Sequence, residues 1–178
     1  MRSQRIRTAT VTASRIACLA IMMVALALPG IADARSQAAP PWDITPVSPP
    51  ARTEITIGKT PLDVELAVTP VQQALGLGYR NGLAPGTGML FVSNSASERT
   101  FWMKGMRFCL DIVWVQDGQI VGAAERACPD PAGTADADRA HFSSSGPVTD
   151  VLEVPSGWLQ ERGYGTGTAV DIPESARP

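Results

Sequence analysis

The sequence predicts an α+β domain, mostly β, in which an antiparallel sheet that can curl into a barrel carries two short helices. Three observations lead there. Apolar and polar residues alternate in short runs such as Leu62 to Val68 (LDVELAV). An Asp117-Gly118 pair lies between two apolar runs, the strongest short-range hairpin signal. The two helix signals, at Thr69 and Ser156, each run into glycine within about two turns.

The first elements of the 178-residue chain precede the domain. Arg2, Arg5, Arg7 and Arg15 form a basic start, and Ile16 to Leu28 is a 13-residue apolar run ending at Pro29-Gly30. Such a run is shorter than the roughly 20 residues that span a bilayer. Ala32-Asp33-Ala34 supplies the small residues of a cleavage site, so residues 1–34 read as a cleaved secretory signal peptide. The product is expected to be exported, periplasmic or secreted, with no integral membrane segment. Residues 1–34 hold four of the 15 basic and one of the 17 acidic residues, leaving 11 against 16, a net charge of −5. An acidic chain without a basic stripe or interleaved aromatics argues against nucleic-acid binding. Residues 35–52 carry five prolines and read as an extended linker, with Trp42 able to dock on the domain.

The domain is expected over 53–173, with 174–178 a C-terminal tail. Thr53 to Ile57 and Leu62 to Val68 alternate as strands; Leu62, Val64, Leu66 and Val68 face one way, Asp63 and Glu65 the other. Thr69-Pro70-Val71-Gln72 opens a helix with a capping threonine, proline at the first helical position and glutamine to complete the box. Asn81-Gly82 and Pro85-Gly86 are turns. Met89 to Val92 and Thr100 to Lys104 read as strands, and Phe108 to Val115 pairs with Gln119 to Arg126 as a hairpin. Pro129 to Ser145 reads as a long loop, Val148 to Val154 as a strand, Ser156 to Arg162 as a capped helix, and Thr168 to Ile172 as a last strand.

Asp111, between Leu110 and Ile112, raises the functional question. An isolated charge in an apolar strand needs partners or a proton. A two-residue loop at Asp117-Gly118 puts Asp111 opposite Ala124 and Cys109 opposite Arg126. Asp111 and Arg126 are then diagonal neighbours, as are Cys109 and Cys128. Three roles stay open for Asp111: a structural ion pair with Arg126, a ligand-binding or acid–base carboxylate, or a solvated edge residue. Glu153 in Val-Leu-Glu-Val poses the same question. Were it to meet Asp111, the two carboxylates could serve a hydrolase. Cys18 leaves with the signal, so the exported chain keeps Cys109 and Cys128, either bridged or as two buried thiols. In Thr100 to Lys104, Phe101 and Met103 share one face while Trp102 and Lys104 share the other, which suits a binding surface. His141 is the only histidine, so neither a histidine-rich metal site nor a Cys-His pair is expected. No cofactor motif is present.

GLGYRNGLAPGTGMLFV (76–92), FWMKGMRFCLDIVWVQDGQIV (101–121) and VLEVPSGWLQERGYGTGTAV (151–170), in that order, resemble the family called domain of unknown function 192. The resemblance spans about residues 54–172 and places Lys104, Asp111 and Glu153 on positions that the family fills alike. It departs at Gly78, where the family often has methionine, and at Cys109, often proline. It implies a compact β-rich domain, often exported, with no established activity. The leading expectation is a non-catalytic extracytoplasmic module that binds a small ligand, a glycan or a protein through Arg80, Trp102, Lys104 and Glu153. The alternatives are a hydrolase using Asp111 and Glu153, and a structural envelope protein.

Overall fold

Strand alternation becomes a sheet at β1 (Arg52–Ile57) and β2 (Thr60–Ala67), an antiparallel pair in which Ile55 faces Leu62 and Thr53 faces Val64. The computed structural model describes residues 48–177. The expected signal peptide, Trp42 and most of the linker lie outside the described residues. Ile55, Ile57, Leu62 and Val64 are buried, and Asp63 is exposed, as the alternation requires.

Thr69 then opens α1 (Pro70–Leu75) with the expected reciprocal box. Its hydroxyl accepts from the Gln72 backbone N–H, and the Gln72 amide oxygen accepts from the Thr69 N–H. The connection through α1 is long enough for a crossover, and it delivers β3 (Thr87–Ser97) parallel to β2. The sheet is therefore mixed rather than purely antiparallel.

β4 (Thr100–Trp102) leaves the sheet, and β5 (Leu110–Gln116) and β6 (Gln119–Ala127) form the hairpin. Asp117 and Gly118 have φ of 51° and 69°, the left-handed pair that such a two-residue turn demands. β7 (His141–Ser143), inside the expected loop, pairs with β4 and sets Trp102 opposite His141. β8 (Val148–Pro155), α2 (Trp158–Arg162) and β9 (Val170–Asp171) complete the order β6-β5-β8-β3-β2-β1-β9. Backbone bonds from Ile120 N–H to Thr168 O (2.9 Å) and Val170 N–H to Gly118 O (2.8 Å) tie the start of β6 to the chain entering β9. The sheet thus curls into a half-barrel.

Both faces of the central strands are covered. Val113, Val115, Leu90, Leu152 and Val154 pack inside the curl with Trp158 and Leu159 of α2. Leu110, Ile112, Trp114, Met89 and Val151 pack on the other face with Phe101 and Met103 from the β4 region. After β9 the chain turns over Glu174–Ala176, burying Ala176, and Arg177 grips the buried Asp150 at 2.6 and 3.0 Å.

The hairpin register corrects the sequence-based pairing. Gln116 faces Gln119 as the turn dictates, but irregularities at Trp114/Val115 and Leu110/Ile112 shift the register, so Ile112 and not Asp111 faces Ala124. Each shift lengthens β6 relative to β5. Together they bring Cys128 level with Cys109, and the two are disulfide-bonded. Closing a loop over 19 positions constrains the unfolded chain. Replacing both cysteines by serine should lower stability by about 3 kcal/mol in urea titration. An unchanged midpoint would refute a stabilising role for the bridge.

Candidate functional site

On the outer face of β3 and β8, Glu153 sits level with Met89 on one side and Ile112 on the other. Strand alternation places it on the same face as Val151, away from Leu152 and Val154. It is 6% exposed, and its Oε2 has no hydrogen-bond partner among the described residues. Burial raises its pKa from 4.5 to about 8, against a weaker opposing pull from the Arg80 charge. Near neutral pH the group is a carboxylic acid, not a carboxylate.

Glu153 lines a cleft of about 290 Å³ between the end of α1, β4 and the sheet. Its apolar lining includes Leu75, Leu77, Phe91, Phe101, Met106 and Val151. The α1 wall is anchored by Gln73, whose amide nitrogen donates to Ala67 O (3.1 Å) and Val92 O (3.2 Å). The loop after α1 joins the turn after β4 through the Tyr79 N–H on Gly105 O at 2.8 Å. Gly78 also lines the cleft, and a Cβ there would stand 2.9 Å from the Leu75 carbonyl oxygen, so this backbone favours glycine over methionine.

Polar groups surround the opening. Trp102 is 43% exposed, and the Lys104 ammonium lies 5.1 Å from its ring centroid. Lys104 also pairs with Asp136, whose carboxyl is held below its ordinary pKa by hydrogen bonds from Lys104 and Arg139. Arg99 lines the same cleft. Its backbone is pinned in both directions by Ser144, through N–H to Oγ at 3.0 Å and from Ser144 N–H at 2.9 Å. Its guanidinium donates to the Ser93 hydroxyl, with no carboxylate partner among the described residues. Sequence reading missed Arg99, because nothing in Ser-Glu-Arg-Thr signals that β4 will fold back over β3.

The four expected binding residues separate here. Trp102, Lys104 and Glu153 share the cleft. Arg80 does not line it. Its guanidinium binds Glu65 through two 2.8 Å contacts, which hold the Glu65 carboxyl below its ordinary pKa.

Asp111 is elsewhere. It is fully buried on the inner face with Val113 and Val115, opposite to Glu153. Oδ1 accepts from the backbone N–H of Arg126 (2.9 Å) and Gly157 (3.0 Å), and Oδ2 from that of Leu159 (3.1 Å). The expected Asp111–Arg126 ion pair is thus corrected to a main-chain contact, while the Arg126 guanidinium donates to Gln160. Asp111 caps α2 in place of Ser156, since the Gly157 cap has no side-chain partner of its own. Asp111 and Glu153 cannot act on one substrate atom from opposite faces, so the acid–base pair is not assembled. Among the described residues no cluster of three or more His, Cys, Asp or Glu could hold a metal ion, and no helix is long and apolar enough to cross a membrane.

Residues 53–172 match the family model DUF192, described as an uncharacterised ACR. Nothing among curated proteins matches. Of solved structures, a proposed transcription regulator from Sinorhizobium meliloti is similar at 31% identity and a TM-score of 0.62, over 70% of this chain and 96% of that one. A protein of unknown function from Novosphingobium aromaticivorans is similar at 30% identity and a TM-score of 0.63, over 71% and 89%.

Proposed function

The chain belongs to the DUF192 family, and we propose that it is an exported, non-catalytic binding module whose cleft takes a small amphipathic ligand. The single observation that carries this reading is Glu153, a buried acid with an unpartnered oxygen on the wall of an otherwise half-apolar cleft. A buried polar atom left without a partner costs about 1–3 kcal/mol, which a bound molecule would recover. The cleft lies at the small end of ligand sites, which run from about 300 to 1,000 Å³. That size favours a small molecule over a long glycan. The signal-like residues 1–34 and the Cys109–Cys128 bridge support export. The domain bounds expected from sequence, with residues 1–34 removed, are part of the same proposal.

Native mass spectrometry of the protein purified gently from its own compartment tests both parts. The expected result is a chain beginning near Arg35 that retains a reproducible added mass, lost in Trp102→Ala. A chain retaining residues 1–34 overturns export, and a bare chain overturns tight small-molecule binding. A protein or glycan partner is the second reading, favoured by the exposed Leu75 (46%), Tyr79 (65%) and Trp102. A co-purifying polypeptide or glycan in the same spectrum would select it.

A further inference from the structure

Among the described residues Glu153 is the only acidic side chain that lines the cleft, and Arg99 and Lys104 are its two basic ones. Lys104 stands at the solvent side with its side chain 40% exposed, whereas Glu153 is sequestered between Met89 and Ile112. Resting on the binding reading above, we propose that the ligand is an apolar zwitterion, a free amino acid or short peptide, with its ammonium against Glu153 and its carboxylate at Arg99 and Lys104.

The lone acid lacks a donor. The Arg80 charge that pulls on it sits on a guanidinium paired twice with Glu65, and no hydrogen bond from Arg80 reaches Glu153 among the described residues. An ammonium supplies both the missing hydrogen bond and the charge that makes a buried carboxylate tolerable. The opposite end of the ligand meets cations that are easily recruited. The Lys104–Asp136 pair is solvent-exposed and therefore weak, and Arg99 presents a planar fork suited to a carboxylate. Leu75, Leu77, Phe91, Phe101 and Met106 receive the apolar body. A ligand carrying only a carboxylate brings no positive charge to Glu153, and one carrying only an ammonium leaves the two cations unused.

Seating an ammonium against Glu153 also has a proton balance. The charge that acts on the acid is Arg80, held by Glu65, while Arg99, and Lys104 with its partner Asp136, share its cleft; His141, across the ribbon from Trp102, is exposed. Near pH 7 the acid carries its proton, so forming the ammonium–carboxylate contact releases up to one proton to solvent for each ligand bound.

The probes are L-phenylalanine and the dipeptide Leu-Phe, with 3-phenylpropionate lacking the ammonium and phenethylamine lacking the carboxylate. Each is titrated into the mature protein at pH 7 by calorimetry in two buffers of different ionisation enthalpy. Backbone resonances of Leu77, Trp102 and Glu153 report the site. The expected result is that at least one zwitterion binds tenfold or more tightly than either analogue, with proton release. The tighter of amino acid and dipeptide identifies the source. Glu153→Gln should erase both the preference over 3-phenylpropionate and the proton release. The double variant Arg99→Ala/Lys104→Ala, which leaves the acid in place, should erase only the preference over phenethylamine. Equal binding of 3-phenylpropionate without proton release overturns the zwitterion and leaves the binding cleft standing. No shift with any probe overturns the zwitterion too, and the native mass measurement alone then decides the binding reading.

Discussion

Asp111→Asn should lower stability by about 3–5 kcal/mol in denaturant titration. The carboxylate offers acceptor sites on both oxygens, and three backbone N–H groups use them. Asparagine keeps one acceptor oxygen. Its NH2, placed at the other position, confronts the Leu159 N–H donor with a second donor. Because Asp111 is fully buried, no water restores the lost bond. The three donors come from the β6 bulge and the entry to α2, so one substitution releases two elements together. A typical domain has only about 5–15 kcal/mol in total. Arg126 supplies the contrast. Its φ of 56° is a left-handed conformation that glycine adopts freely, and the bond to Asp111 uses its main chain. Arg126→Gly should therefore stay within about 1 kcal/mol of wild type. Were Arg126→Gly as damaging as Asp111→Asn, the charge pair would be the true contact and the main-chain cap would be wrong.

This contrast shows where sequence reading stopped. Asp117-Gly118 identified the hairpin because both residues accept positive φ. It could not reveal the two register shifts further along β6, which depend on what the strand packs against. The three backbone donors on Asp111 were invisible for the same reason, since any residue could provide them and none marks its sequence. Thr69 and Gln72 were legible because their capping partners lie three residues apart. The cap of α2 was not, because its acceptor lies 46 and 48 positions away. β4 and β7 form a ribbon only as a pair, so His-Phe-Ser in a polar loop carried no strand signal by itself. In the cleft, Trp102, Lys104 and Glu153 stood out as residue types in the wrong setting, whereas Arg99 is an ordinary loop arginine until the ribbon folds.

The second large effect belongs to Glu153 and appears as pH dependence. Its folded pKa, about 8, lies above the ordinary 4.5, so between these values the folded state holds a proton that the unfolded chain has released. Stability is then fully present below about pH 4.5 and falls as pH rises towards 8, by up to about 1.4 kcal/mol per pH unit. Glu153→Gln keeps the shape and removes the titration. The variant should gain on wild type from pH 5 to pH 8.5 by several kcal/mol, on the order of 4. Glu65 does not overlap with this window. Its pKa is lowered by Arg80, so its contribution is lost only as pH falls through the acid range. Parallel urea midpoints for wild type and variant across pH 5–8.5 would sink the assignment. The sign also bears on why the acid is there. Leucine between Met89 and Ile112 would pack without a proton debt, so selection for stability alone argues against glutamate. A ligand whose ammonium meets the ionised acid reverses the penalty. L-phenylalanine or Leu-Phe, whichever binds, should therefore raise the midpoint more at pH 8 than at pH 5.5. A larger gain at pH 5.5 would mean that the bound form of Glu153 is the neutral acid, donating its proton to an acceptor on the ligand.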